Sequence, residues 1–507
     1  MPESDLIQTG VIGLDRILGG GIPRGNLILV EGAAGTGKTT FGVQFIYRGA
    51  QELDEPGLIV LFEVSPERIM REAATFGWDL AALERQGRIK IVFTTRQVFE
   101  QELRRADSLL LDEAREIRAR RVFVDSFAPV WQRDANQPPR EAFHILSEGL
   151  QRENLTAMVA LEVSAHEEAR TTAAVPEEFV ADTIILLRVE SLERAAVRSL
   201  EIVKSRGQAY EMGRHTFRIG DGRGGLEVYR RVQARRNIER EQAAAYDVSR
   251  RLATGTPGLD PLLGGGMWPG ATVLTVGVSG VGKSVMALQY IAEGARRGER
   301  SLMVTLDEPP AQVIRNAGTI GIDLQEFIDR DLVQLWYDSP QELEIDRHFA
   351  HVEEMVRDRR PQRVVIDSLS TYGGILGLRA QTFRDFLHAC VSLMKEYQVT
   401  AIYNHENPEM LGMTSMMGEM TVSSLVDTII LLNWVELGDT FRLALTVAKM
   451  RASPIIRQTH ECEIIDGQGM RVLPNALDPA IPRLPFTAYL GLVSRAPERH
   501  TPHLGAP

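Results

Sequence analysis

The feature that most constrains the fold is that the chain carries one module twice. The first copy reads TGVIGLDRILGGGIPRG from Thr9, and the second reads TGTPGLDPLLGGGMWPG from Thr254. Further along, GAAGTGKTTFGVQFI returns as GVSGVGKSVMALQYI, which aligns Lys38 with Lys283. Several matches in the same order at nearly the same offset indicate a duplicated domain rather than a coincidence of composition.

Each copy is long enough to form a domain of its own. The chain has 507 residues, and the repeat predicts a first domain at 1–235 and a second domain at 254–476. Residues 236–253 are charged and contain no proline, which predicts a helical or extended connector. Residues 477–507 are rich in proline, and we expect them to form an extended or partly disordered tail.

Short apolar runs recur at the spacing of an α/β domain. In the first copy, NLILVEG, GLIVLFE, RVFVDS, LTAMVALE and DTIILLRVE read as strands, and KTTFGVQFIYRGAQE reads as a helix. Continuous apolar strands of this length suit a parallel sheet that is buried on both faces. The sequence therefore predicts two tandem α/β domains, each a mostly parallel sheet with helices on both faces.

Composition narrows the class of protein. A net charge of −11 and a pI near 5.6 weigh against a protein that coats nucleic acid, so DNA is not an expected partner. The two cysteines, Cys390 and Cys462, fit no metal-ligand spacing, which favours the reducing cytoplasm. The first residues lack a basic and apolar signal region, and no apolar run reaches the roughly 18 residues that span a membrane. We therefore expect a cytoplasmic protein with no membrane partner.

Both copies contain the phosphate-binding loop G-x-x-x-x-G-K-[ST], after a predicted strand and before a predicted helix. In such a loop, glycines let backbone N–H groups face the phosphates, and the lysine reaches the β- and γ-phosphates. The N-terminus of the following helix adds its own attraction for anions. ATP is therefore the expected ligand of both copies. The predicted nucleotide-binding residues of these loops are Gly35, Thr36, Gly37, Lys38, Thr39 and Thr40, and Gly280, Val281, Gly282, Lys283, Ser284 and Val285.

Two pairs of residues are predicted to bind Mg²⁺. The hydroxyl that follows each loop lysine, on Thr39 or Ser284, is a magnesium ligand in this kind of loop. Asp125 and Asp367 end the apolar strands VFVD and VVID, where the second magnesium carboxylate of such NTPases lies. The alternative is that each aspartate only caps the helix that follows it.

A further carboxylate follows the next strand of each copy. The segments LFEVSPE and TLDEPPA align through their prolines, which places Glu63 opposite Asp307. A carboxylate at this strand end can orient or deprotonate the group that attacks the γ-phosphate. An ordinary surface acid is the alternative, and it applies most to Glu308, whose counterpart is Val64.

Two cations recur late in each copy, in the segments VKSRG and AKMRA. They are Lys204 with Arg206, and Lys449 with Arg451. Such a pair can reach the γ-phosphate on another subunit, as an arginine finger does. Alternatively, each pair is the solvated end of a strand.

Taken together, these motifs resemble the KaiC family, a branch of the RecA-like ATPases. The resemblance rests on TGxxGLDxxLGGG, the P-loop, the strand-end acid, the V-D-S segment, D-T-I-I-L-L and K-x-R, in that order over roughly residues 5–465. It implies two RecA-like P-loop domains and a double-ring homohexamer with ATP bound between neighbouring subunits. It also implies slow ATP hydrolysis in the first half and serine/threonine autokinase activity in the second.

The family assigns further roles by position. Thr75, Gln208 and Tyr210 fall where the family lines the first nucleotide pocket, and the two K-x-R pairs fall at the trans-acting positions. A KaiB-like partner fits the resemblance. The segment after the second copy is unlike the one that binds the activator KaiA, so KaiA is not an expected partner.

One segment differs between the copies in a way that separates their chemistry. The second copy reads EMTVSSLVDTIILLNWVE, and the first reads AVPEEFVADTIILLRVE. Ser423 and Ser424 therefore stand where the first copy has Glu178 and Phe179. Neither of those side chains has a hydroxyl group that could accept phosphate. The resemblance implies that these two serines accept phosphate from ATP on a neighbouring subunit. Without it, a turn that feeds a strand would explain the hydroxyls.

The chain also departs from the family pattern. The family has two adjacent glutamates in each half, whereas this chain has Glu63–Val64 and Asp307–Glu308, and K-M-R-G-S is replaced by K-M-R-A-S. The sequence leaves open which acid of the second pair is the base. Two other functions stay open as well: a RecA/RadA-like DNA-dependent ATPase, and a scaffold ATPase that senses nucleotide without kinase activity.

Overall fold

The computed structural model describes most of both copies. The described residues are 6–105, 107–126, 146–150, 152–163, 180–192, 195–220, 224–233, 250–375, 380–406, 424–437, 440–455 and 458–477. The chain separates into two compact units, Met1–Arg231 and Val232–Pro507, which are treated one at a time below. The domain, connector and tail boundaries given above stay predictions.

The first unit is built on one nine-stranded sheet and also contains a two-stranded sheet formed by its first two strands. Its described strands are β1 (Leu6–Ile7), β2 (Ile22–Pro23), β3 (Leu27–Gly32), β4 (Gly57–Leu61), β5 (Ile89–Phe93), β6 (Arg121–Asp125), β7 (Thr156–Glu162), β8 (Thr183–Leu192), β9 (Ala195–Ser205), β10 (Arg214–Gly220) and β11 (Gly225–Tyr229). Its described helices are α1 (Leu14–Ile17), α2 (Lys38–Glu52), α3 (Pro66–Thr75), α4 (Leu80–Arg85), α5 (Arg96–Arg104) and α6 (Leu109–Glu116).

Strand order shows where the phosphate-binding loop lies in that sheet. The order is β11-β10-β9-β8-β3-β7-β6-β4-β5, so the strand before the loop is central. The neighbouring strands β8, β3, β7, β6, β4 and β5 pair in parallel. Beyond β8, the strands β9, β10 and β11 extend the sheet with antiparallel pairs. The carboxyl ends of the parallel strands therefore meet along one edge, where ligands of open α/β sheets bind.

Both faces of this sheet are covered by helices. Along β3, Ile28 and Val30 belong to one core with Phe41 of α2, because alternate side chains point to the same face. Leu29 points the other way, into a second core that contains Phe99 of α5. Burial on both faces is why the strands are continuous apolar runs.

The second unit repeats this plan. Its described strands are β12 (Thr272–Gly277), β13 (Ser301–Thr305), β14 (Val333–Tyr337), β15 (Arg363–Asp367), β16 (Thr400–Glu406), β17 (Thr428–Leu437), β18 (Thr440–Met450), β19 (Thr459–Ile465) and β20 (Gly469–Ala476). Its described helices are α7 (Leu259–Leu262), α8 (Lys283–Arg296), α9 (Pro310–Thr319), α10 (Leu324–Asp329), α11 (Ile345–Arg359), α12 (Leu369–Ile375) and α13 (Ala380–Glu396).

The sheet of the second unit runs in the order β14-β13-β15-β16-β12-β17-β18-β19-β20, which is the order of the first sheet read from its opposite edge. Two cores again lie on opposite faces, one containing Tyr290 of α8 and the other containing Val356 of α11 and Leu387 of α13. The predicted fold class, two tandem α/β units with mostly parallel sheets and helices on both faces, is confirmed. Within the described parts of the chain, no helix is both long enough and apolar enough to cross a bilayer.

Candidate nucleotide sites

The two phosphate-binding loops lie at the carboxyl ends of the central strands β3 and β12. At Gly37, which immediately precedes α2, φ is 108°, and Gly282 has φ of 86° at the same place before α8. A Cβ at Gly37 would lie 2.7 Å from the Cδ1 atom of Ile219, so a larger residue would have to displace its neighbour. Both loops therefore have the strand–turn–helix geometry that presents backbone N–H groups to an anion.

The other loop residues differ in exposure. Thr36 and Val281 are buried, and the Thr36 hydroxyl donates to the carbonyl oxygen of Ala33 at 2.9 Å. Gly35 and Gly280 are exposed at the tips of the loops, whereas Thr40 and Val285 are half-buried in the first turn of the helices.

The loop lysines are buried and bonded within their own loops. Lys38 Nζ donates to the carbonyl oxygens of Gly32 and Ala33, both at 2.8 Å. Lys283 makes the same two contacts in its loop, at 2.9 and 2.7 Å. Burial lowers the pKa of Lys283, and two nearby carboxylates oppose this shift. Each ammonium is thus held at the loop by acceptors that a phosphate oxygen could replace.

A hydroxyl and a carboxylate meet beside each loop. Thr39 Oγ1 donates to Asp125 Oδ2 at 2.8 Å, and Ser284 Oγ donates to Asp367 Oδ2 at 2.7 Å. Burial raises the pKa of both aspartates, while the hydrogen bond from the hydroxyl lowers it. Magnesium prefers oxygen ligands and usually takes only one or two carboxylates from the protein, so both pairs fit a Mg²⁺ ion. The predicted partners thus lie together in both units.

The strand-end acid of the first unit lies beside this pair. Glu63 follows β4, and its charge contributes to the raised pKa of Asp125, although burial contributes more. The Glu63 side chain is 65% exposed and accepts a hydrogen bond from Arg96 Nη2 at 2.9 Å. Arg96 also donates to the carbonyl oxygen of Ser126 at 3.2 Å. The guanidinium therefore links the acid to the end of the strand that carries Asp125.

In the second unit, the two candidate acids face different neighbours. Asp307 accepts hydrogen bonds from Ser368 at 3.0 Å and from Thr371 at 2.7 Å, and its charge adds to the raised pKa of Asp367. The Glu308 carboxylate instead accepts from Asn316 Nδ2 of α9 at 3.0 Å. Asp307 thus lies beside the pair formed by Ser284 and Asp367, whereas Glu308 is hydrogen-bonded to α9.

The two K-x-R pairs make matching contacts inside their own units. Lys204 Nζ donates to the carbonyl oxygen of Ala181 at 2.6 Å, and Lys449 Nζ donates to that of Val426 at 2.7 Å. The arginine side chains lie 3.6 Å from Asp182 in the first unit and 3.5 Å from Asp427 in the second. Arg206 is 55% exposed and Arg451 50%. Their action on another subunit stays a prediction.

The three additional pocket residues are not brought to the loop by the contacts observed. Thr75 is exposed at the end of α3, where its hydroxyl donates to the carbonyl oxygen of Glu72. Gln208 donates to Ser205 at 2.8 Å, and the Tyr210 hydroxyl donates to a carbonyl oxygen of β9. These contacts associate Gln208 and Tyr210 with the K-x-R segment, and their role at the nucleotide stays a prediction.

Of the two candidate phosphoacceptors, the structure describes Ser424. It is exposed, and it lies just before β17. Ser423 lies outside the described residues, as do Glu178 and Phe179, so the contrast between the copies rests on sequence there.

Several residues around the loops carry contacts that the motifs alone did not reveal. In the first unit, Arg198 of β9 donates to the carbonyl oxygens of Gly35 and Thr36, at 2.9 and 3.2 Å. In the second, burial lowers the pKa of His405 to about 4, and Lys283 contributes to the shift. The sequence feature that distinguishes His405 is the strand YNHE, which stands where the first copy has VALE.

Comparison with known proteins agrees with this geometry. The family model "ATPase: KaiC" matches residues 7–233 and again residues 252–476. The chain is 32% identical over 458 residues to a circadian clock oscillator protein KaiC of Thermosynechococcus vestitus, which covers 89% of this chain and 86% of that protein. It is 31% identical over 454 residues to the protein of the same name from Synechococcus elongatus, with 88% and 85% covered. A Synechocystis protein named circadian clock oscillator protein KaiC 1 is 31% identical over 455 residues, with the same coverage.

Proposed function

The chain belongs to the KaiC family of ATPases, and from this premise we propose that it hydrolyses ATP in its first unit and phosphorylates its own serines in its second. The observation that carries the proposal is that the same site recurs in both units, whereas the residues before the D-T-I-I-L-L strand differ. Each unit holds a loop lysine, a hydroxyl–aspartate pair and a strand-end acid along the same edge of its sheet. Only the second has hydroxyls before the D-T-I-I-L-L strand.

In the first unit, the chain's residues suit the attack of water on the γ-phosphate. The Glu63 carboxylate would accept a proton as the water oxygen bonds to phosphorus, and the bond from phosphorus to the bridging oxygen of ADP would break. Arg96 keeps Glu63 at this edge through its 2.9 Å hydrogen bond. When bound by Thr39 and Asp125, Mg²⁺ would neutralise charge on the phosphate oxygens.

In the second unit, the same edge suits attack by a serine hydroxyl. The Oγ of Ser423 or Ser424 would bond to the γ-phosphorus of ATP on a neighbouring subunit, the bond to ADP would break, and a carboxylate would take the hydroxyl proton. Asp307 is the better base because two hydroxyls hold it beside Asp367, whereas Glu308 is held by α9. Lys283 would hold the phosphate in line, since such transfer depends mainly on positioning.

We propose a homohexamer, because the roles of the K-x-R pairs require a neighbouring subunit. Each pair lies at the end of an antiparallel strand, and half of each arginine side chain is exposed. In a ring, these cations would complete the nucleotide site of the next subunit by stabilising charge on the transferred phosphate. A KaiB-like protein is the proposed partner, and the cytoplasm is the proposed location.

The names of the relatives suggest a role in timing or signalling for this chain. A nucleotide-sensing scaffold without kinase activity is the second candidate, because Asp307, the proposed base of the second unit, is one methylene shorter than the family glutamate. The net charge of −11 argues against a third candidate, a DNA-dependent ATPase.

The division of labour can be tested with two variants. Glu63→Gln should remove most steady-state hydrolysis, because an amide is a poor base for water. Lys283→Ala should abolish transfer of label from γ-labelled ATP to the protein but leave much of the hydrolysis. Loss of both activities to the same extent in either variant would contradict separate roles for the two units.

A further inference from the structure

Three cations surround the residue that follows the proposed acceptor segment. Asp427 lies three residues after Ser424, and its Oδ1 atom lies 3.5 Å from Arg451 Nη1 and 3.7 Å from Lys395 Nζ. Lys449 lies close enough to interact electrostatically with Asp427, Arg451 and Lys395. Burial and the two other cations lower the pKa of Lys449, and the charge of Asp427 opposes this shift. One carboxylate therefore faces three positive charges.

The same cations reach the backbone of the acceptor segment. Arg451 Nη2 donates to the carbonyl oxygen of Ser424 at 2.7 Å, and Lys449 Nζ donates to that of Val426. Arg451 thus already lies against the residue whose hydroxyl is the proposed acceptor. A guanidinium has five N–H donors, so it can keep this contact and still bind another anion.

Asp427 holds two of these cations weakly. Both distances exceed those of an ordinary hydrogen bond, and both cations share one oxygen atom. The other oxygen, Oδ2, accepts a hydrogen bond from the backbone N–H of Thr272 at 3.0 Å. A phosphate nearby, with about −1.5 to −2 charges and three acceptor oxygens, would attract the cations more strongly than this carboxylate does.

The first copy has the aspartate and the K-x-R pair, but its sequence has glutamine rather than a cation at the position of Lys395. Arg206 lies 3.6 Å from Asp182, as in the second unit. Aligning LTAMVALE with VTAIYNHE places Gln151 at the position of Lys395, and aligning the two D-T-I-I-L-L strands places Phe179 at that of Ser424. At these two positions, the second copy therefore has both a cation, Lys395, and a hydroxyl, Ser424, and the first copy has neither.

We propose that Lys395 and Arg451 form a receiving site for a phosphate on Ser424 of the same subunit. The proposal rests on the proposed autokinase function and adds what reads its product. On phosphorylation, the two cations turn from Asp427 to the phosphate and fix the start of β17. Since Arg451 is also the proposed trans-acting cation, engaging it in this way would weaken its reach to the neighbouring subunit.

The test installs phosphoserine at position 424 during translation of the full chain, so that it does not depend on self-phosphorylation. We expect phosphoserine to raise the thermal unfolding midpoint of the second unit by about 2–4 °C over the Ser424 chain. In Lys395→Gln, which places the first unit's residue there, less than half of this rise should remain. Lys395→Arg, which keeps the charge, should retain it.

Arg330→Gln is the matched control, because it removes one positive charge from an exposed ion pair with Glu326 in the same unit. Its phosphoserine-dependent rise should equal that of the unsubstituted chain. An equal rise in Lys395→Gln, or no rise in any chain, would overturn the receiving site. Failure of the wild-type chain to label itself with ATP would instead overturn the proposed kinase and leave this comparison readable.

Discussion

At the scale of single residues, the two adjacent acids of the second unit make different contacts. Sequence alone cannot separate Asp307 from Glu308, because both follow the same strand. The contacts do separate them: two hydroxyls hold Asp307 beside Asp367, and Asn316 holds Glu308 against α9. A base must lie within hydrogen-bond reach of the proton that it takes, so position decides between the two.

Substitution of each acid by its amide tests this assignment. Asp307→Asn should slow phosphate incorporation about 100-fold or more, because a neutral amide cannot accept the serine proton. Glu308→Gln should retain most of the rate, since an amide oxygen can still accept the hydrogen bond from Asn316. The initial rate of label incorporation from γ-labelled ATP measures both, and the reverse ranking would make Glu308 the base.

At the scale of elements, the turn after the K-x-R strand shows how the copies reach one conformation with different residues. Gly207 has φ of 80° in the first unit, and Ala452 has φ of 56° at the matching place in the second. A Cβ disfavours this left-handed region by roughly 1–2 kcal/mol. The next residue, Ser453, accepts hydrogen bonds from Arg251 at 2.8 Å and Trp268 at 3.1 Å, which help to hold the turn.

Exchanging the two residues should therefore change stability in opposite directions. Ala452→Gly should stabilise the second unit by about 0.5–1 kcal/mol. Removing the Cβ relieves the strain of the left-handed backbone, and the larger conformational entropy of glycine in the unfolded chain offsets part of this gain. Gly207→Ala should destabilise the first unit by a similar amount. Urea denaturation of both variants measures the free energy of unfolding, and stabilisation by Gly207→Ala would show that the turn is not strained.

The elements were more predictable from sequence than their contacts. The runs NLILVEG and RVFVDS predict β3 and β6 because a strand buried on both faces must be apolar throughout. The P-loop, with Asp125 and Asp367, could be placed because each motif requires a strand end. The contact of Arg198 with the loop could not be predicted, because it joins residues that are distant in sequence through the register of β9. The buried ion pairs of Arg121 with Glu55 and Arg363 with Glu299 were missed for the same reason.

At the scale of the whole molecule, duplication would allow one chain to carry the two proposed activities. The two sheets have the same strand order, and the loop, hydroxyl–aspartate pair and K-x-R contacts recur. The differences that bear on the proposed chemistry include the strand-end acids Glu63 and Asp307 and the sequences before β8 and β17, where the second copy has Ser423 and Ser424. Under the proposed division of labour, small changes on this shared frame favour water as the nucleophile in one unit and serine in the other.

If the K-x-R cations act on a neighbouring subunit, an isolated chain has incomplete sites and ATP should drive assembly. We expect mass photometry with saturating ATP and Mg²⁺ to show a closed ring of about six subunits. Lys38→Ala and Lys283→Ala should weaken the ring, because each removes a cation that binds the bridging nucleotide. Monomers alone under these conditions would contradict a shared site.

The central claim is that the second unit transfers phosphate from ATP to the serines before β17. Tandem mass spectrometry of the assembled chain after incubation with MgATP tests it directly, with Ser423→Ala/Ser424→Ala as the comparison. We predict phosphate on Ser423 or Ser424, and no phosphate on the double variant although it still assembles and hydrolyses ATP. Phosphate that persists in the double variant, or never appears in an assembled ring, would contradict the autokinase and favour the scaffold ATPase.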